Sequence, residues 1–184
     1  YDASKHPYDA LLNEYEEGLT MQTLDGFFAE LRHVIVPLVK AIAEKEQPNT
    51  DFLDQSYPIE GQKKLAKYLM DVIGLDPNRC TITESEHPFT LGFNTNDVRI
   101  TTHYHEFNPT FSVFSTIHEG GHALYDMGVD PAYDGTCLGG GASMGIHESQ
   151  SRFYENLIGR SLPFIELIFP RMQEIFPQQL ANVT

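Results

Sequence analysis

The sequence predicts a mainly helical fold with a small antiparallel β-sheet. Apolar residues recur at steps of three and four over most of the 184 residues, and a single stretch between Arg79 and Tyr104 switches to two-residue alternation. Proline and glycine stand where helices start and stop. At 41% hydrophobic and 11% aromatic, the composition is that of a chain with a core. With no repeat, low-complexity tract or long polar linker, residues 1–184 read as one continuous unit.

Leu24, Phe27, Phe28, Leu31, Ile35, Leu38, Val39 and Ile42 form the stripe of a helix with one buried face, and Thr20 or Thr23 can cap it. Pro37 removes one ladder donor, which predicts a kink near Val36 without a break in the stripe. A second helix starts at Pro58, buries Leu65, Leu69, Val72 and Ile73, and ends at Gly74. Cys80–Thr83 and Val98–Thr101 are β-branched and alternate in polarity, so they read as two strands of the antiparallel sheet. The next helix runs from Pro109 to Met127, with Asn108 as cap and Gly128 as a left-handed stop. A loop through Gly139-Gly140-Gly141, read as a tight turn, leads to a helix over Met144–Ile158 and then to pieces started by Pro163 and kinked by Pro170. Phe164, Ile165, Leu167, Ile168, Phe169, Ile175 and Phe176 form an apolar stretch large enough to predict a covering partner surface.

Twelve Lys and Arg against 26 Asp and Glu leave a formal charge of −14, which repels phosphate backbones and anionic headgroups. Nucleic acid and membrane are therefore excluded as expected partners. Cys80 and Cys137 form no CxxC pair, so neither a disulfide framework nor a cysteine zinc knuckle is written here. Cys137 reads as a small core residue. No apolar run approaches the roughly 18 residues of a membrane span, and Tyr1-Asp2-Ala3-Ser4 has neither a basic start nor an apolar signal segment. The expected location is a reducing, cytoplasmic compartment.

The strongest chemical signal is His118-Glu119-Gly120-Gly121-His122, an HExxH within a predicted helix. Residues four apart lie on one helical face, so both imidazoles can reach one zinc ion at about 2.0–2.1 Å. Glu119 then stands beside the metal and can take a proton from a water that the metal acidifies. The flanking Thr116-Ile117 and Ala123-Leu124 are apolar or small, unlike a charged surface stripe. Two glycines inside a helix cost about 1 kcal/mol each relative to alanine. That cost points to the close approach of another backbone.

A catalytic zinc requires a third protein ligand and an open position. The metzincin pattern fails, because Tyr125 and Gly128 stand where it needs glycine and histidine. A glutamate on a following helix is the alternative, and His147-Glu148-Ser149-Gln150 lies beyond the glycine-rich turn. Glu148 is the best candidate and His147 its nearest rival. Adjacent helical residues point about 100° apart, so the two cannot both face one metal. Glu155, two turns on from Glu148, reads as a support to the site or as solvated.

Four segments in order, His87-Pro88-Phe89, Asp97-Val98-Arg99-Ile100-Thr101 (DxRxT), the HExxH and His147-Glu148-Ser149-Gln150, make the sequence resemble the carboxypeptidase Taq family of thermostable metallocarboxypeptidases along essentially its whole length. The resemblance implies a helical, gluzincin-like metallopeptidase that releases C-terminal amino acids from peptides. It places the metal, zinc first and cobalt second, on His118, His122 and Glu148, with Glu119 as catalytic base. Two further family motifs, IRxxAD and GxxQDxHW, have no counterpart, so the chain is expected to be the central part of such an enzyme, without its N-terminal and C-terminal parts. The resemblance also implies homodimers for full-length members. The readings from other classes are a gluzincin endopeptidase and a catalytically incomplete metal-binding fragment.

Asp97, Arg99 and Thr101 alternate with Val98 and Ile100 along a strand, and the resemblance favours a role for that polar face in supporting the metal ligands or lining the cleft. Arg99 could also hold a carboxylate in bidentate fashion. His87 is held extended by Pro88, and the family motif gives it a role at the site. Asp126, four residues after His122, either accepts from a ligand imidazole or is solvated. His103 and His105 read as a surface strand end.

Overall fold

The computed structural model describes residues 4–183, so the readings of Tyr1, Asp2, Ala3 and Thr184 lie outside the described residues. The sequence reads as one unit, but the chain divides into two compact ones, Tyr1–Asn49 with Ser143–Gly145, and Thr50–Ala142 with Ile146–Thr184.

In the first unit, α1 (Pro7–Tyr15) begins with proline at its first position and is capped by the His6 side chain, which accepts the Tyr8 N–H. Asp9 Oδ1 accepts the Met21 N–H at 2.8 Å and so ties α1 to the start of α2 (Met21–Ala43). Thr20 supplies the α2 cap, accepting the Thr23 N–H, and the helix continues through Pro37. Its apolar stripe departs from expectation. Phe27, Phe28, Leu31, Ile35, Leu38, Val39 and Ile42 are all exposed, because a helix of nine residues cannot cover one of 23.

The second unit opens with a 3₁₀ turn (Asp51–Leu53) and α3 (Ile59–Val72), for which Pro58 is the cap residue and Gly74, at φ +86°, the stop. Three strands follow: β1 (Cys80–Glu84), β2 (Thr90–Asn94) and β3 (Asp97–Thr102). Here the antiparallel expectation is corrected for the two predicted strands. β1 and β3 pair in parallel, Ile82 opposite Ile100, and only β2 pairs antiparallel with β3, in the order β1-β3-β2. β2 reverses the chain and the Thr95-Asn96 turn reverses it again, so β3 runs in the direction of β1. Period-two alternation reveals strands but carries no direction.

α4 (Pro109–Met127) lies between the sheet and two helices. On one side Val113 and Ile117 pack with Leu65 and Leu69 of α3 and with Phe164 and Ile168 of α6 (Leu162–Ile175). On the other Ala123 packs with Val98 and Ile100 of β3 and with Met70 and Leu75. The fully buried Gln62 links these layers, donating to Tyr57 O and His105 O and accepting from Ser112 Oγ. α4 stops at Gly128 with φ −87°, a right-handed conformation, so the left-handed stop is corrected.

The predicted helix over Met144–Ile158 is α5 (Met144–Arg152) followed by a π-helical segment (Phe153–Gly159). α6, capped by Ser161, and the short α7 (Pro177–Leu180) close the described chain. The apolar stretch after Phe164 is partly covered within this unit, with Phe164, Ile168 and Phe176 buried and Leu167 exposed. Cys137 is exposed, not a core residue. Among the described residues no helix is long and apolar enough to cross a membrane.

Candidate metal centre

α4 has the fully buried Ile117 and Ala123 beside the two motif histidines, and the rings of His118 and His122 stand 5.1 Å apart at 76°. The glycines between them serve two contacts. A Cβ on Gly120 would enter the Ile73 side chain, whereas one on Gly121 would meet the backbone of Ser151 and Gln150. The bare surface at Gly121 lets α5 lie directly on α4, and that contact delivers Glu148 to the histidines. Glu148 Oε2 is 3.2 Å from His122 Nε2 and 3.6 Å from His118 Nε2. Four tetrahedral ligands at about 2.0–2.1 Å from zinc stand about 3.3–3.4 Å from one another, so these separations fit a shared divalent ion. His118, His122 and Glu148 are the group that could hold a metal among the described residues.

Each imidazole is oriented through its other nitrogen. His118 Nδ1 lies 2.9 Å from Glu155 Oε2, so it carries the proton and leaves the Nε2 lone pair for a metal. His147, the rival ligand, turns instead to the far side of His122. The two Nδ1 atoms are 2.6 Å apart, and His147 Nε2 is 2.8 Å from Asp126 Oδ1. Asp126 accepts from His147 Nε2, which makes His147 Nδ1 an acceptor and His122 Nδ1 the donor. Again Nε2 is left bare. Asp126 therefore reaches the ligand imidazole through an intervening histidine.

Two arginines order the carboxylates. Arg152 Nε donates to Glu148 Oε1 at 2.7 Å and its Nη1 to Glu155 Oε2 at 3.2 Å, while Arg160 Nη2 donates to Glu155 Oε1 at 2.8 Å. Burial alone would raise the pKa of Glu148, but the hydrogen bonds from Arg152 and Ser151 and the charge of Arg152 outweigh it and hold the carboxyl below its usual range. Glu155 is likewise lowered, burial being outweighed by the hydrogen bonds from Arg160 and His118. Burial lowers the pKa of His122 and favours the neutral, ligating form.

Glu119 is 6% exposed, and burial pushes its carboxyl upward against the hydrogen bond from Thr90. A carboxylate with raised proton affinity beside the three donors is suited to collecting and returning a proton. His87 lines a cleft of about 390 Å³ together with His118, Glu119, Arg152 and Arg160, and its own Nδ1 stands 2.7 Å from Pro88 O.

The DxRxT residues stand apart from the donors. Asp97 and Arg99 pair with each other at 2.9 Å on the sheet face opposite to Val98 and Ile100, with the Arg99 guanidinium 4.7 Å from the Phe93 ring centroid. Thr101 is buried and accepts the Phe89 N–H at 2.9 Å. With Glu148 turned inward the helical period also brings Arg152 to the cleft, as found; Thr90 and Arg160 are the residues that sequence reasoning missed. Arg160 follows Glu155 by five residues, a neighbour spacing in a π-helix but not in an α-helix, so the α-helical period could not find it.

The family model described as Carboxypeptidase Taq (M32) metallopeptidase matches residues 1–184. The chain is 45% identical over 181 residues to Carboxypeptidase 1 of Bacillus subtilis (strain 168), covering 98% of this chain and 36% of that protein. It is 42% identical over 170 residues to Thermostable carboxypeptidase 1 of Thermus thermophilus, covering 92% and 33%. The crystal structure of the M32 carboxypeptidase from Deinococcus radiodurans R1 aligns with a TM-score of 0.93 at 45% identity, covering 97% of this chain and 36% of that one. The chain thus spans about a third of the length of the relatives it matches.

Proposed function

We propose, for a chain that belongs to the carboxypeptidase Taq (M32) metallopeptidase family, that it is the central part of a metal-dependent carboxypeptidase that releases C-terminal amino acids from peptides. The observation that carries this reading is the convergence of His118 Nε2, His122 Nε2 and Glu148 Oε2 beside the buried Glu119. His118, His122 and Glu148 would hold one divalent metal, zinc in the first place, since two imidazoles and a carboxylate are a known catalytic zinc set; cobalt suits the same donors. Such an ion polarises a carbonyl oxygen and acidifies water. Glu155 and His147 keep both ligating imidazoles in the Nε2-bare tautomer, and Arg152 leaves Glu148 Oε2 to face them. Glu119 takes a proton from the attacking water on a carboxylate oxygen and returns it to the nitrogen of the departing amino acid, ending as it began. Burial favours this cycle by making its protonated form accessible.

The partners in this reading are peptides with a free C-terminus, nucleic acid being disfavoured by a charge of −14. Two unpaired cysteines agree with a cytoplasmic setting. Homodimerisation of the full-length protein completes the reading. The test is hydrolysis of paired peptides, one with a free C-terminus and one amidated, by the full-length protein that carries this sequence. Cleavage of the free form alone supports the carboxypeptidase; cleavage of both identifies an endopeptidase. Stoichiometric metal with neither peptide cleaved identifies a metal-binding protein without catalysis.

A further inference from the structure

Thr90 is the first residue of β2, and its hydroxyl stands 2.6 Å from Glu119 Oε2 and 3.1 Å from Glu119 O, the carboxylate being the nearer acceptor. Its register puts it opposite Ile100, as Gly92 is opposite Val98, on the sheet face that packs against α4. A valine would fill this position equally well by volume, so packing does not explain the hydroxyl. The residue before it is pinned from behind. Phe89 N–H donates to Thr101 Oγ1 and Thr101 N–H donates to Phe89 O, each at 2.9 Å. Ser85 Oγ stands 2.6 Å from Thr101 Oγ1. The His-Pro-Phe segment and the DxRxT strand, which place no side chain among the metal donors, are thereby joined to Glu119 through Thr90.

We propose that Thr90 is a positioning residue for Glu119. Its hydroxyl donates to Oε2 and fixes the carboxylate plane, and Oε1 is the oxygen that takes a proton from water and passes it to the leaving nitrogen. Thr101 holds Thr90 in turn through the backbone of Phe89. The role rests on the reading of Glu119 as the base. A carboxylate turns broadly about its last torsion, and a fixed second oxygen removes that freedom when the proton moves.

The test compares Thr90→Val, Thr90→Ser, Glu119→Gln and the Thr90→Val/Glu119→Gln double variant in the full-length protein. Thr90→Val is expected to lower kcat by about ten- to a hundredfold with KM within about twofold. Metal retained after dialysis should match the parent. Thr90→Ser should restore kcat to within about threefold of the parent, and Thr90→Val should cost nothing further once Glu119 is Gln. Parental kcat in Thr90→Val overturns the proposal, as does Thr90→Ser being equally impaired, loss of metal, or a full effect in the Glu119→Gln background. If Glu119→Gln itself turns over at the parental rate, the base reading falls and takes this one with it. If Glu119→Gln is inactive and Thr90→Val normal, only the positioning role falls. Should Thr90→Val not fold, Thr90→Ala takes its place with the same outcomes.

Discussion

A Cβ placed on Gly121 would stand 2.8 Å from Ser151 Cα, backbone against backbone. Gly121→Ala therefore brings two opposed effects. Helix propensity favours alanine by about 1 kcal/mol, whereas overpacking against a rigid neighbour costs about 1–3 kcal/mol. The clash should win and lower the melting temperature. Because Ser151 lies on the helix that carries Glu148, metal affinity should fall as well. Gly120→Ala meets the flexible end of Ile73 and should be milder in both. Thermal denaturation and metal titration of the two variants decide; equal behaviour would refute the backbone-contact account.

The choice between neighbouring residues as third ligand is open to the same titration. Glu148 Oε2 faces both Nε2 atoms, while His147 meets the opposite edge of His122. Glu148→Ala should weaken metal binding tenfold or more, about 1.4 kcal/mol per tenfold, and His147→Ala by less. Equal metal content in the parent and Glu148→Ala after dialysis would exclude Glu148 and bring His147 forward.

Much of this arrangement is legible in the sequence because it is local. The four-residue step of His118 and His122, a threonine cap on α2, the start of α3 to within one residue of Pro58, and the α4 bounds all follow from rules that act within a few residues. The glycine pair advertises its purpose by its cost, and Gly121 meets the backbone that the cost implies. Strand direction is different, because β1 and β3 look alike whichever way they pair, and the unrecognised β2 decides it. The α2 stripe has the pattern of buried residues, but burial depends on what is there to cover it. Thr90 is invisible for a third reason, since its partner is 29 residues away in sequence.

Glu155→Gln tests the support of a ligand from behind. The carboxylate receives His118 Nδ1, Arg152 and Arg160 together. Removing its charge should weaken metal affinity by about 10–100-fold, the range for such outer partners. Asp126→Asn acts on His122 only through His147 and should cost less. Direct titration at constant pH ranks them; a larger loss for Asp126→Asn would reverse the assigned order of support.

Glu119→Gln, which should retain metal and lose most turnover, has a second consequence that can be read without either. Burial raises the pKa of Glu119 in the folded chain. In the metal-free protein the folded state thus holds this proton more tightly than the unfolded one. The stability this group contributes is fully present below the unfolded glutamate value of about 4.3 and is lost as pH rises through the folded value. Glu148 and Glu155, lowered in the fold, act in the opposite sense: their contribution is present above the ordinary value and is lost as pH falls through their own depressed values. Both carboxylates remain in Glu119→Gln, so the difference between variant and parent reports the charge of residue 119 together with its repulsion of Glu148. With chelator present, Glu119→Gln should melt above the parent at neutral pH, and the gap should close as pH falls towards 4. A gap that stays constant across this window would mean that glutamine acts through packing, and that the buried charge carries no stability cost.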